Sequence, residues 1–306
     1  MAVLGRLGGW LYQQPYLLVL LTYFTWALNV VVGRTAAGHV PPMTLSTARW
    51  VLAALVLLPF AWPHLKRDWP TLRHHLPILF LLGFTGTTGY AMAAYVALQY
   101  TEAINGLLIQ CTMPLMIGVT AFLLVGDRLT GRQIVGIIVS LIGVLAILMR
   151  GDLHALRSIN FNRGDLWFVV AIVIFSFYAP LMRRSPKAHP LSLLTVFAIT
   201  GVISILPLLA WELATVPPAI IDRKTILICI YLAIFPSIIA YICYNRGIQM
   251  LGPNRVAALY PTIVLFGTGL AILYLGETPQ WYHFVGTVLI VGGVLYATRN
   301  AQAVKA

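Results

Sequence analysis

Ten apolar runs, separated by short polar gaps, account for almost the whole chain. They cover approximately Tyr16–Val32, Leu45–Trp62, Leu76–Ala97, Ile104–Val125, Gln133–Met149, Asp165–Met182, Leu191–Leu213, Thr225–Gln249, Arg255–Leu275 and Trp281–Thr298. A helix needs about 20 apolar residues to cross the hydrocarbon core of a bilayer, so each run reads as a transmembrane helix. Gaps such as Tyr100–Ala103 and Gly276–Gln280 are so short that consecutive helices must be antiparallel neighbours. No gap has room for a soluble domain.

Composition sharpens the class. Of 306 residues, 60% are hydrophobic and 9% charged, against roughly 45–50% and 25% in a soluble domain. A chain this short of charge cannot wet its own surface, whereas a lipid-facing surface needs no wetting. The net charge of +12 is spread through the gaps, which marks topology determinants facing anionic lipid rather than a nucleic-acid patch. With the N-terminus inside, the inner segments hold Arg6, Lys66, Arg67, Arg73, Arg128, Arg132, Arg183, Arg184, Lys187, Arg246, Arg255, Arg299 and Lys305. The outer ones hold Arg34, Arg150, Arg157, Arg163, Arg223 and Lys224. This bias puts both termini in the cytoplasm. The stretch after Arg6 lacks a small-residue cleavage site and is kept as the first span. Cys111, Cys229 and Cys243 lie inside apolar runs with no ligand spacing, so neither a disulfide, a metal nor a cofactor is expected.

The chain also repeats itself. At an offset of 150 residues, 98–146 resembles 248–296 without gaps, with Gln99/Gln249, Thr112/Thr262, Ala121/Ala271, Gly126/Gly276, Gly136/Gly286, Gly143/Gly293 and Val144/Val294 identical and Asp127 facing Glu277. Shared apolar composition explains matched Val, not glycines in register. Two units follow, 1–150 and 151–306, with five spans each. An odd number of spans inserts the second unit upside down. Inverted repeats of this kind let two halves exchange inward-open and outward-open shapes, which is a transporter's arrangement.

Several motifs resemble the drug/metabolite transporter superfamily and its EamA family. They are WALNVVVGR at Trp26–Arg34, Arg49 in TARW, and YVALQ at Tyr95–Gln99 followed by Pro114 and Gly126–Asp127. In the second unit they are Tyr244–Gln249, Tyr260–Pro261 and Gly276–Glu277. Asp127 stands where the family has Glu, and Pro261 sits three residues earlier in its unit than Pro114. The resemblance covers nearly the whole chain. It implies an all-α integral membrane fold of ten transmembrane helices in two inverted five-helix EamA repeats with cytoplasmic termini. Within the family the chain is most similar to the YddG-like amino-acid exporters of bacterial inner membranes, which implies a small-molecule substrate, no cofactor and no catalytic residue. The expected surroundings are the lipid bilayer and the expected state a monomer.

Candidate substrate contacts are polar or aromatic groups near mid-membrane, where the halves meet. Thr22, Trp26, Asn29 and Gly33 share one face of the first span, as cavity wall or as hydrogen-bonding glue between helices. The third span puts Gly83, Thr87, Tyr90 and Ala94 on one face, and the resemblance adds Tyr95 and Gln99. The eighth carries Tyr241, Tyr244, Asn245 and Ile248 on one stripe. Two tyrosines and an amide suit a zwitterion, and the alternative is an interfacial aromatic belt. The fourth and ninth spans hold Gln110–Pro114 and Tyr260–Pro261. There Pro114 and Pro261 either simply kink the helix or free a carbonyl suited to an ammonium group. Arg49, placed inside a span, binds a carboxylate or satisfies helix-end carbonyls.

No Asp, Glu or His lies deep in a run. The acid or imidazole that relays protons in pumps is therefore missing, which favours facilitative transport. It also weighs against a drug or quaternary-cation exporter, which needs a buried acid. A membrane enzyme or scaffold is the remaining alternative, and the sequence has no HExxH, GxSxG or P-loop.

Overall fold

The computed structural model describes residues 9–36, 40–98, 100, 109–152, 162–275 and 278–299, and among them every regular element is helical. In order these are α1 (Pro15–Ala36), α2 (Pro42–Arg73), α3 (76–98), α4 (Met113–Val125), α5 (Gly131–Leu148), α6 (Arg163–Arg183), α7 (Pro190–Thr215), α8 (Arg223–Leu251), α9 (Pro253–Ala258), α10 (Thr262–Leu275) and α11 (Trp281–Thr298). Seven of them, α2, α3, α5 to α8 and α11, are long and apolar enough to cross a membrane.

The fourth and ninth apolar runs differ from their expected continuous form. The chain turns at Cys111–Thr112 before α4, and at Leu259–Pro261 between α9 and α10. Pro114 lies in the first turn of α4, where a missing N–H loses no hydrogen bond, so it starts a helix rather than kinking one. The two breaks are built alike. Thr112 Oγ1 donates to Ile109 O at 2.7 Å, and Thr262 Oγ1 to Leu259 O at 2.7 Å, both at the 150-residue offset. Residues 104–108 of the expected fourth run lie outside the described residues.

The most extensive helix contacts all join a helix from before residue 150 to one from after it: α5 with α11, α2 with α7, α3 with α6, α1 with α8, α4 with α6 and α1 with α10. The α5–α11 contact depends on glycine. A methyl at Gly143 would stand 2.7 Å from Gly286 O, and one at Gly286 2.7 Å from Gly143 O. Gly136 and Gly293 oppose each other in the same way. Rising numbers on one helix meet falling numbers on the other, so the pair is antiparallel and its backbones touch.

The α2–α7 pair is held at both ends by carboxylates. Glu212, near the end of α7, accepts from Met43 N (2.9 Å), Thr44 N (2.7 Å) and Thr44 Oγ1 (2.9 Å) at the start of α2. Asp68, near the end of α2, accepts from His189 N and Ser192 Oγ at the start of α7, both at 2.8 Å. Each helix thus supplies the anion that satisfies the other's orphan N–H groups and complements its dipole. From Thr44 to Asp68 is about 36 Å at 1.5 Å per residue, a little more than the roughly 30 Å of hydrocarbon. Both caps therefore fall at the membrane surfaces. This need to reach Ser192 accounts for α2 continuing to Arg73, well beyond the expected end at Trp62.

His64 stacks on His189 beside the Asp68 cap, centroids 3.6 Å apart. Burial opposes the charge on Asp68. The His189 N–H, the Ser192 hydroxyl and Arg67 outweigh it and hold the carboxyl below the ordinary carboxylate value. Burial, then His64, holds His189 below the ordinary imidazole value, with Asp68 pulling up and Arg67 pushing down.

Both shifts act in one direction. A depressed His189 stabilises the fold above about pH 6.5 and loses that as pH falls through its lowered value. Asp68 does the same below about pH 4. Thermal unfolding of the purified protein should therefore show a melting temperature that falls on acidification from pH 7.5 to 5. Asp68→Asn should lower the melting temperature at pH 7.5, by about 1 kcal/mol of stability for a lost cap. Gly143→Leu should abolish recovery of folded protein by size-exclusion chromatography. Gly292→Leu on the same helix pair, where an added Cβ meets nothing within 4 Å, should leave it intact.

Candidate functional site

Both α3 and α8 widen to π-helical turns near their midpoints, at Phe84–Thr88 and Ala233–Ile239. These segments correspond at the 150-residue offset, and each begins about 12–15 Å from its helix start. In α8 the cause is Pro236. It has no N–H to offer Leu232 O four residues back, and Ser237 Oγ donates to that oxygen instead at 2.7 Å. In α3 the turn contains Gly86, whose missing side chain leaves room for the Tyr178 ring from α6. Wide turns of this type recur at functional sites.

Each turn receives a side chain from the other half of the chain. The Trp26 indole Nε1 of α1 donates to Pro236 O at 3.2 Å. The Tyr241 hydroxyl of α8 donates to Gly86 O. Residues 86 and 236 are themselves separated by 150, so the two acceptors correspond, while the donors Trp26 and Tyr241 stand at unrelated positions of their units. Arg49 adds donors to the α8 turn: Nη2 to Pro236 O at 3.2 Å and Nε to Ser237 Oγ at 2.5 Å, with its guanidinium over the Trp50 ring.

Trp26 is the hub of an aromatic cluster between the turns. Its ring centroid lies 5.0 Å from Tyr244, 5.7 Å from Tyr241, 5.9 Å from Tyr23 and 6.0 Å from Phe175. Tyr178 lies parallel to Tyr244, and its hydroxyl donates to Asn245 Oδ1 at 2.8 Å. Tyr23 donates to Val256 O at 2.8 Å and its ring meets Tyr260 at 5.5 Å. Tyr23, Tyr178, Tyr241 and Tyr244 are each at most 5% exposed, so rings fill the centre in this conformation. Beside Tyr260, a void of about 30 Å³ opens between the two helix breaks, lined by Gln110, Cys111, Tyr260 and Pro261. That is room for a single water.

Trp26, Tyr241, Tyr244, Asn245 and Tyr260, which periodicity or motif had singled out, come together here. Asn245 does so as the buried acceptor of Tyr178, not at the interface. Tyr90 joins edge-on to Phe175 at 5.5 Å. Thr22 is turned to helix packing, its hydroxyl donating to Leu18 O and to Ala240 O across to α8. Asn29 is half-buried farther along α1. Gln99 and the Tyr95 side chain lie outside the described residues. Sequence reasoning passed over Tyr23, Trp50, Phe175 and Tyr178. The signal was available for α6, where Phe175 and Tyr178 share a face by i,i+3 spacing. Among the described residues no group of three or more His, Cys, Asp or Glu is placed to hold a metal.

The sequence profile of the EamA-like transporter family matches residues 13–149 and again 162–299. The chain belongs to this family. It is a multi-pass membrane transporter and not an enzyme. It is 28% identical to the Bacillus subtilis transporter YyaM, over 87% of this chain and 88% of that one. It is 27% identical to a probable amino-acid metabolite efflux pump of Escherichia coli, over 96% and 98%. A solved crystal structure superposes with a TM-score of 0.76 at 20% identity, covering 94% of this chain and 98% of that one, a likeness of fold.

Tyr244 sits at 1% exposure in the ring cluster. Tyr244→Ala should therefore lower stability by about 3–5 kcal/mol as well as flux, read by melting temperature alongside transport. Trp26→Phe keeps an aromatic ring, though a smaller one, and loses the bond to Pro236 O, and should lower flux with a smaller loss of melting temperature.

Proposed function

We propose that the protein exports amino acids, aromatic or neutral, and related small metabolites across a bacterial inner membrane by alternating access, without a coupled proton. The observation that carries this reading is the aromatic cluster at mid-membrane, bounded by two wide helical turns whose buried carbonyls are held by side chains, and by one guanidinium. Aromatic faces suit an apolar side chain, carbonyls suit an ammonium group, and Arg49 suits a carboxylate. Similarity to the probable amino-acid metabolite efflux pump of E. coli supports the same substrate class.

The architecture in this reading is ten transmembrane helices in two inverted units, 1–150 and 151–306, with both termini cytoplasmic and one chain as the working unit. The antiparallel Gly143–Gly286 and Gly136–Gly293 contacts support inversion, because they relate α5 to α11 by a two-fold axis across the helices. The matching π-helical turns and the matching Thr112 and Thr262 bonds support the same two-fold relation.

Facilitative transport is favoured by the placement of the acids. Asp68 and Glu212 are committed to helix caps, and Asp127, Asp152, Asp165 and Asp222 stand at helix ends or in connections. No carboxylate among the described residues reaches the ring cluster, which also disfavours export of quaternary cations.

Proteoliposomes holding the pure protein should take up labelled phenylalanine, leucine or a similar neutral amino acid down its gradient. The rate should be unchanged when a pH gradient is imposed. Uphill accumulation driven by the proton gradient would refute the facilitative mechanism. No amino-acid flux across the panel would refute the substrate class.

A further inference from the structure

The two π-helical turns match in backbone and differ in chemistry. At the α8 turn Pro236 O already holds two donors, Trp26 Nε1 and Arg49 Nη2, and the guanidinium places a positive charge there. At the α3 turn Gly86 O holds the Tyr241 hydroxyl. The polar groups around it are hydroxyls, Thr85, Thr87 and Thr88, all buried. Thr88 Oγ1 is 2% exposed as a residue and lacks a hydrogen-bond partner. A buried hydroxyl without a partner costs free energy that a ligand can recover. A carbonyl has two lone pairs, and an ammonium group is a stronger donor to it than a phenol.

We propose that the α3 turn is the ammonium subsite of the transporter. In the empty protein the Tyr241 hydroxyl occupies Gly86 O. A substrate carrying a primary ammonium displaces that hydroxyl and binds Gly86 O, with the Thr88 hydroxyl as a second acceptor. Arg49 repels the same cation from the counterpart carbonyl at Pro236 and draws the substrate's carboxylate to that side. The substrate therefore enters in one orientation although the two turns share a backbone. This inference deepens the proposed function and rests on it for the identity of the substrate, but the ligand chemistry it requires is the amine alone.

The test uses the purified full chain and phenylalanine, 2-phenylethylamine and 3-phenylpropanoate. The three share a phenyl group and differ in which charge they carry. In the wild type, phenylethylamine should raise the melting temperature and compete for phenylalanine flux. Phenylpropanoate, without the amine, should do both at least about tenfold more weakly, the ratio of one charge-assisted hydrogen bond. In Tyr241→Phe the ammonium no longer has to displace a hydroxyl. The KM for phenylalanine should fall several-fold, and the thermal shift given by phenylethylamine should grow.

A KM that rises in Tyr241→Phe would make the hydroxyl a direct substrate ligand, and an unchanged KM would make it purely structural. Either outcome overturns the proposal, as does phenylpropanoate competing as well as phenylethylamine. If the variant does not fold, the comparison of the two analogues on the wild type decides the matter. Stabilisation by phenylethylamine without amino-acid flux would refute the substrate reading and leave the ammonium subsite standing. Flux with equal competition from the amine-free acid would do the reverse.

Discussion

Hydrocarbon offers no hydrogen bonds, so any carbonyl that a helix leaves short at mid-membrane has to be met by the protein itself. This chain creates that debt twice, at the π-helical turns of α3 and α8. It settles each from the opposite half, with Tyr241 reaching Gly86 O and Trp26 reaching Pro236 O. The aromatic tips that satisfy the backbone are also the rings that fill the centre. Closing the hydrogen-bond account and closing the central space are therefore one event, and whatever opens the space must also supply new partners for these carbonyls.

The halves are interleaved as thoroughly as this pairing requires. All the largest helix contacts cross between them, and the main core is drawn from both. Further ties lie at the periphery. The Gly143–Gly286 approach brings backbones together on one side, and the reciprocal caps of Asp68 and Glu212 fix α2 against α7 at both membrane surfaces. Between these ties the helices are broken or widened at four places: the α3 and α8 turns, and the breaks at Thr112 and Thr262. Discontinuous helices of this kind flank the central site in transporters of other folds as well.

How much of this was legible in sequence follows from the range of each interaction. Apolar run length is a one-dimensional property, and it gave the membrane class and the position of most helices. The 150-residue offset carried the correspondence of the glycines, and in the structure they meet as α5 meets α11. Face periodicity singled out Trp26 on one helix and Tyr241 with Tyr244 on another, because neighbours on a helix stripe share an environment, but did not show that the two stripes meet. For Thr22, on the stripe of Trp26, it left cavity wall and interhelical glue open, and the structure shows the glue, because a hydroxyl's partner is chosen by the adjacent helix. Asp68 and Glu212 read as ordinary connection or helix-end acids, since an N-terminus capped by a residue more than a hundred positions away leaves no local pattern. Pro236 was visible in the eighth run all along. Its consequence, a wide turn whose carbonyl serves Trp26 and Arg49, depends on geometry that residue type alone does not encode.

A two-fold related backbone has no way to tell one end of a substrate from the other, so direction has to come from side chains that break the relation. The break here is local and chemical. Arg49 belongs to the first half yet serves the turn of the second. Its counterpart position at the 150-residue offset, Ile199 on α7, is apolar and 41% exposed. One turn is therefore proline, serine and guanidinium, and the other is glycine and hydroxyls. A ligand with separated charges meets a field with one favourable orientation in the low-dielectric interior, where such a difference is far stronger than in water. The backbone of the two turns repeats, and the departure of their side chains from that repeat gives the site its polarity.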